Sequence, residues 1–265
     1  MSLWTERRNG AVATLSYANP PRNFLTFAAL AELETRLVDI AQDDTVHVVV
    51  LRSDVDGYFV AHADLDELSR LASGPVPEAA AWYTAMRQIE RMPQPVVAAI
   101  DGQAWGGGVE LALACTMRWA SRRSDLALIE TSLGIIPGAG GTQRLIRLVG
   151  RGVATDLVLS GAALRADAVQ AIGLVSRVFD TDDFDDRVHA AAIALATKPR
   201  EALVAAKRVM REGSTLDTSS AMRLEGHEFA RLLATPESLR LQADARRRYA
   251  ETPASERVWF ERTSW

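Results

Sequence analysis

Hydrophobic residues recur at helical spacing over residues 27–41, where Leu30, Leu33, Leu37 and Ile40 share a face and Thr26 stands as a cap. The pattern then changes. Residues 46–51 are apolar at nearly every position, which predicts a strand covered on both faces, with His47 a structural member of it. A short strand over 12–16 precedes them, and the Asn19-Pro-Pro-Arg-Asn23 segment is a stiff loop because two prolines forbid helix. Asp64 followed by Glu67 is close to a capping box and opens a helix through Leu68 and Leu71. Ser73-Gly-Pro-Val-Pro77 breaks that helix. A second one over 78–91 carries Trp82, Tyr83, Met86 and Ile89, residues suited to a core or to the wall of an apolar pocket.

The stretch from 95 to 144 reads differently. Residues 96–100 are a strand, Asp101-Gly102 a tight turn, and the following helix is entered through Gly106, Gly107 and Gly108. Glycine allows close backbone approach, and the first helical turn has N–H groups without internal partners. This turn is therefore a place to receive a negatively charged oxygen, with Glu110 one turn inside. A second glycine turn, Pro137-Gly-Ala-Gly-Gly-Thr-Gln143, follows another acid, Glu130. Each acid also has a plain structural reading: Glu110 as a first-turn residue favoured by the helix dipole, Glu130 as a solvated loop residue.

Further strands are predicted over 118–120, 126–129 and 174–179, and helices over 143–148, 153–159 and 166–172. After Asp182 the pattern is helical over 188–197, 199–211, 215–233 and 236–250. The alternation predicts a largely parallel α/β core over 1–181, followed by a helical region over 182–265.

Composition narrows the function. Of 265 residues, 48% are hydrophobic and 24% charged, as in soluble globular proteins. A net charge of −4 gives no general attraction to nucleic acid or anionic membrane. The single cysteine, Cys115, forbids an internal disulfide and fits a small buried residue in a reducing compartment. With no apolar signal core and no membrane-length run, a cytoplasmic location is expected. The histidines at 47, 62, 189 and 227 lack metal-ligand spacing, and no phosphate-binding P-loop or Gly-x-Ser-x-Gly elbow occurs. No metal site and no separate cofactor are expected.

Three blocks, Ala61-His-Ala-Asp-Leu65, Trp105-Gly-Gly-Gly-Val-Glu-Leu-Ala112 and Glu130-Thr-Ser-Leu-Gly-Ile-Ile-Pro-Gly-Ala-Gly-Gly-Thr-Gln-Arg-Leu145, resemble the crotonase superfamily of enoyl-CoA hydratases and isomerases. The similarity runs from the Asn19-Pro-Pro loop through Ala206-Lys207 to Phe260-Glu-Arg262. It implies a spiral of ββα units with a helical C-terminal region that builds homotrimers or dimers of trimers. It implies an oxyanion hole from the backbone N–H groups of Ala63 and Gly107, and syn addition of water to a trans-2-enoyl-CoA by Glu110 and Glu130. Coenzyme A, carried as part of the acyl-CoA substrate, would lie along the Arg22–Phe24 loop and Ala61–Leu65, and the resemblance implies substrate or coenzyme A contacts from Arg22, Phe24, Ala61, His62, Asp64, Leu65, Trp105, Gly106 and Gly138. Double-bond isomerisation is the alternative chemistry, and non-catalytic acyl-CoA or nucleic-acid binding the alternative class. The sequence departs from the family pattern at His62, usually glycine, at Asp101, often asparagine, at Trp105, often aliphatic, and at Thr116, often aspartate.

Overall fold

The computed structural model describes residues 2–256, so Phe260-Glu-Arg262 lies outside the described residues. The chain divides after Ala196 into two compact units. The first opens with β1 (Trp4–Asn9) and β2 (Val12–Tyr17), an antiparallel hairpin in register from Trp4 opposite Tyr17 to Asn9 opposite Val12. Helix α1 (Phe27–Ala41) begins at Thr26, whose hydroxyl accepts the Ala29 N–H at 3.1 Å. Its buried face holds Leu30, Leu33, Leu37 and Ile40, the residues its spacing selects. Replacing one of them, such as Leu33→Ala, should cost about 2–5 kcal/mol through the cavity it leaves.

A repeating unit follows. Strands β3 (Val48–Ser53) and β4 (Tyr58–Val60) lead into helices α2 (Leu65–Ser73) and α3 (Ala81–Arg91). Strands β5 (Val96–Ile100) and β6 (Gln103–Trp105) lead into α4 (Gly107–Ala114), and β7 (Met117–Ser121) and β8 (Asp125–Ala127) into α5 (Gly141–Val149). Helix α6 (Arg151–Ser160), strand β9 (Leu164–Arg165), α7 (Ala166–Ala171), β10 (Arg177–Phe179) and α8 (Phe184–Ala196) complete the unit. In each repeat the first strand joins a six-stranded sheet of order β1-β2-β3-β5-β7-β10, and the second joins a four-stranded sheet of order β4-β6-β8-β9. The chain thus winds between two sheets as ββα turns. Strand β5 lies inside the larger sheet and is buried at every residue, which is why Val96-Val-Ala-Ala-Ile100 contains no polar position.

Three local outcomes differ from the expectation. Between the Asp101-Gly102 turn and the glycines the chain makes a further strand, β6, whose three residues are too short for a periodic signal and which exists by pairing with β4 and β8. The capping box is half formed: Asp64 accepts the Glu67 N–H at 3.0 Å, but Glu67 reaches across to the Phe27 N–H at 2.6 Å instead of back to its own cap. The compact units part at Ala196, beyond the composition change near 181, because α8 packs on β2 and β3 through Phe184, Val188 and Ala192. His47 has the structural place expected of it, with Nδ1 2.8 Å from the Ala196 carbonyl oxygen.

The second unit contains α9 (Arg200–Gly213), α10 (Thr218–Leu233) and α11 (Pro236–Glu251). Helices α9 and α10 are joined by the buried Glu228 carboxylate, which accepts from Arg208 at 2.7 Å and Arg231 at 3.1 Å. Asp217 and Thr235 cap α10 and α11 by accepting from Ser220 and Ser238. Met210, Met222 and Phe229 project from this unit largely exposed. No helix among the described residues is long and apolar enough to cross a membrane.

Candidate active site

Strands β4, β6 and β8 are parallel neighbours, so their C-terminal ends share one edge. Ala63 lies just past the end of β4, Gly107 just past β6, and Glu130 just past β8. Ligands commonly bind beyond the carboxyl ends of parallel strands, and here this edge opens on a cavity of about 270 Å³. Ala63, Gly107, Glu110, Glu130 and Gly138 all line it.

The backbone N–H groups at this edge depend on tight packing. The Gly106 φ of +49° turns the chain from β6 into α4, and its N–H donates to Ala127 at 2.8 Å. A Cβ on Gly107 would lie 2.5 Å from the Trp82 ring and 3.4 Å from the Ala63 nitrogen. Glycine at 107 therefore lets helix α4 start against Trp82 and beside Ala63. Among the described residues, the Ala63 and Gly107 N–H groups have no hydrogen-bond acceptor, whereas the neighbouring Leu25 and Asp64 amides are paired across the 25–63 bridge.

The two acids have different surroundings. Glu110 is 4% exposed, and its Oε1 accepts the N–H groups of Ala139 at 2.7 Å and Gly141 at 2.8 Å. Burial raises its pKa; the two amides and the charge of Arg144 oppose that rise without cancelling it. Glu130 is 7% exposed, and its buried Oε2 has no hydrogen-bond partner among the described residues. Burial pushes Glu130 up to about 7, and the nearby Glu110 charge adds to the rise. The solvated-loop reading of Glu130 is thereby overturned: it sits in a 3-10 turn, Glu130–Leu133, facing the cavity.

The remaining predicted residues lie around this centre. A Cβ on Gly106 would meet Glu130 Oε1 at 3.2 Å and the His62 Cβ at 3.5 Å. The His62 ring packs 4.7 Å from that of Phe24 and pairs through Nδ1 with the Ala63 carbonyl oxygen. Ala61 is buried, Asp64 serves as the α2 cap, and Arg22 and Leu65 are exposed. None of these lines the cavity. Trp105 does not line it either; its indole N–H donates to Asp125 at 2.9 Å. Two other departures from the family pattern have structural partners: Asp101 binds Arg123, and the Thr116 hydroxyl accepts the Val96 N–H at 3.1 Å.

Sequence reasoning missed the amides of Ala139 and Gly141 as ligands of Glu110. It also missed Ile135 and Ile136 as cavity walls. Their signal was the second glycine turn, read as a separate feature. Trp82 and Tyr83 do wall the cavity, while Met86 and Ile89 face the core.

Fold and site define an α/β protein of the crotonase type. A family model described as enoyl-CoA hydratase/isomerase matches residues 7–256. The mitochondrial methylglutaconyl-CoA hydratase of Mus musculus is 35% identical over 223 residues, covering 82% of this chain and 71% of that protein. The crotonyl-CoA hydratase of Syntrophomonas wolfei is 35% identical over 222 residues, covering 83% of this chain and 85% of that one. The crystal structure of an enoyl-CoA hydratase from Bacillus anthracis superimposes with a TM-score of 0.86 at 32% identity, covering 92% of this chain and 96% of that one. The chain belongs to the enoyl-CoA hydratase/isomerase family.

Proposed function

We propose that this protein is an enoyl-CoA hydratase that adds water syn across the double bond of a trans-2-enoyl-CoA thioester. The observation that carries the reading is the pair of unlike acids, Glu110 and Glu130, in one cavity beside two unpaired N–H groups. The thioester carbonyl accepts from Ala63 and Gly107, and the negative charge that develops on its oxygen is stabilised there. A single oxyanion-hole donor is typically worth roughly 10²–10³ in rate. Glu110, oriented through Oε1, takes a proton from water as the oxygen bonds to Cβ. Glu130, whose proton affinity is raised to about 7, gives its proton to Cα. The double bond becomes single, and proton return from Glu110 to Glu130 resets the pair.

The coenzyme A portion runs along Arg22, Phe24 and residues 61–65, with Arg22 exposed for phosphate contact. No separate cofactor is required, because the thioester is itself part of the substrate. The exposed Met210, Met222 and Phe229 support self-association of the second unit into a homotrimer or a dimer of trimers. The single buried cysteine suits a reducing compartment such as the cytoplasm.

The test is turnover of crotonyl-CoA beside a 3-enoyl-CoA. Hydration faster than double-bond migration is the expected result. Migration without hydration would assign an isomerase instead.

A further inference from the structure

The cavity walls have a chemistry that the reacting centre does not require. Helix α2 buries none of its residues, yet it is amphipathic and turns Leu68 and Leu71 into the cavity. Ile135 and Ile136 stand on another wall, with Ile136 69% exposed. Apolar side chains left open to water around a concavity favour an apolar occupant. The hydroxyl of Tyr83 donates to the Gly138 carbonyl at 3.1 Å, so its proton is committed and it offers only lone pairs to a ligand. Among the described residues that line the cavity there is no lysine, arginine or histidine; the ionisable ones are Tyr83 and the two acids, Glu110 and Glu130.

We propose that this cavity selects thioesters with uncharged, apolar acyl groups and rejects those whose acyl chain ends in a second carboxylate. The inference rests on the acyl-CoA reading above and narrows it. A terminal carboxylate placed among Leu68, Leu71, Ile135 and Ile136 would lose hydration without gaining a cation, and would share the cavity with two acids. An isopropyl group at the same position would cover the exposed isoleucine and leucine surface.

The experiment compares isosteric thioesters on the wild-type protein. Calorimetry with 5-methylhexanoyl-CoA and glutaryl-CoA, neither of which can be hydrated, reads binding apart from chemistry. The isopropyl-ended thioester should bind at least tenfold more tightly, and Ile136→Arg should at least halve that ratio by improving glutaryl-CoA binding. Hydration of the unsaturated pair, 5-methyl-trans-2-hexenoyl-CoA and glutaconyl-CoA, should show the same order in kcat/KM. Equal binding by wild type, or tighter binding of glutaryl-CoA, overturns the proposal. So does an Ile136→Arg variant that leaves the ratio unchanged. Preferential binding with no hydration of either unsaturated thioester supports the selectivity and removes the hydratase reading. Failure of both saturated thioesters to bind removes the two readings together.

Discussion

Glu110 and Gly141 stand 31 residues apart in the chain and meet through a 2.8 Å hydrogen bond from the Gly141 N–H to Oε1 of the acid. Gly141 is the first residue of α5, so the donor is one of the unpaired amides at a helix start. A Cβ at 141 would lie 3.0 Å from that same oxygen and 2.8 Å from the Pro137 side chain. Gly141→Ala should therefore displace either the acid or the turn. We expect a kcat loss of about tenfold or more, with KM changed far less, measured in steady-state hydration of crotonyl-CoA.

Glu110→Gln keeps an oxygen for the Ala139 and Gly141 amides but removes the proposed base, and Glu130→Gln removes the proposed acid. Each should lower kcat for hydration by about 10²-fold or more. The double variant should lose less than the product of the two single losses, because both groups act in one transition state. Near-wild-type hydration by Glu110→Gln would refute the paired-acid mechanism.

The raised proton affinity of Glu130 has a consequence for pH. In the proposed mechanism, hydration uses the pair with one proton on it, and the reverse dehydration uses the same total protonation with the proton on the other acid. Both directions should therefore lose kcat/KM together as pH rises through about 7, where Glu130 ionises. A pH profile flat from 6 to 9 in both directions would contradict the assignment.

Stability should move with the same group. A buried carboxylate whose folded pKa lies above its unfolded value of 4.5 is penalised when ionised, so the fold loses stability as pH rises from about 4.5 to 7. Below that window both states hold the proton and there is no difference. Glu130→Gln should consequently raise Tm at pH 8 by about 3 °C or more and have a smaller effect at pH 5, read by calorimetry.

Arg144 holds the far side of the Glu110 cradle. Its guanidinium donates to the Ala139 carbonyl and, through Nε, to Glu90 at 2.7 Å. It is a positioning residue, and Arg144→Met should lower kcat about tenfold while leaving acetyl-CoA binding unchanged in calorimetry. Arg144→Lys should recover part of the loss. Equal effects on kcat and on binding would mean that the whole site has loosened.

The parts of the molecule legible in the sequence are those with long periodic signals. Helix α1 was visible to its exact cap because Thr26 and four apolar residues act locally. Strand β6 was not, because Gln103-Ala-Trp105 is made a strand by neighbours 45 residues earlier and 22 later, from Tyr58 to Gln103 and Gln103 to Asp125. The same contrast holds in the site. Glu110 and Glu130 stood out beside their glycines, but spacing could not tell that the second glycine turn binds the first acid. That pairing is tertiary, as is the packing of Trp82 on Gly107.

The shared edge of β4, β6 and β8 spreads the backbone donors and the two acids over three separate strand exits. Ala63 leaves one strand, Gly107 and Glu110 follow the next, and Glu130 follows the third. Either acid can be exchanged without removing the backbone donors, since these belong to the main chain of Ala63 and Gly107 and not to either carboxyl side chain. Such an edge is open to divergence: a descendant could keep the two amides at the ends of β4 and β6 and acquire a different reaction through changes at one strand exit.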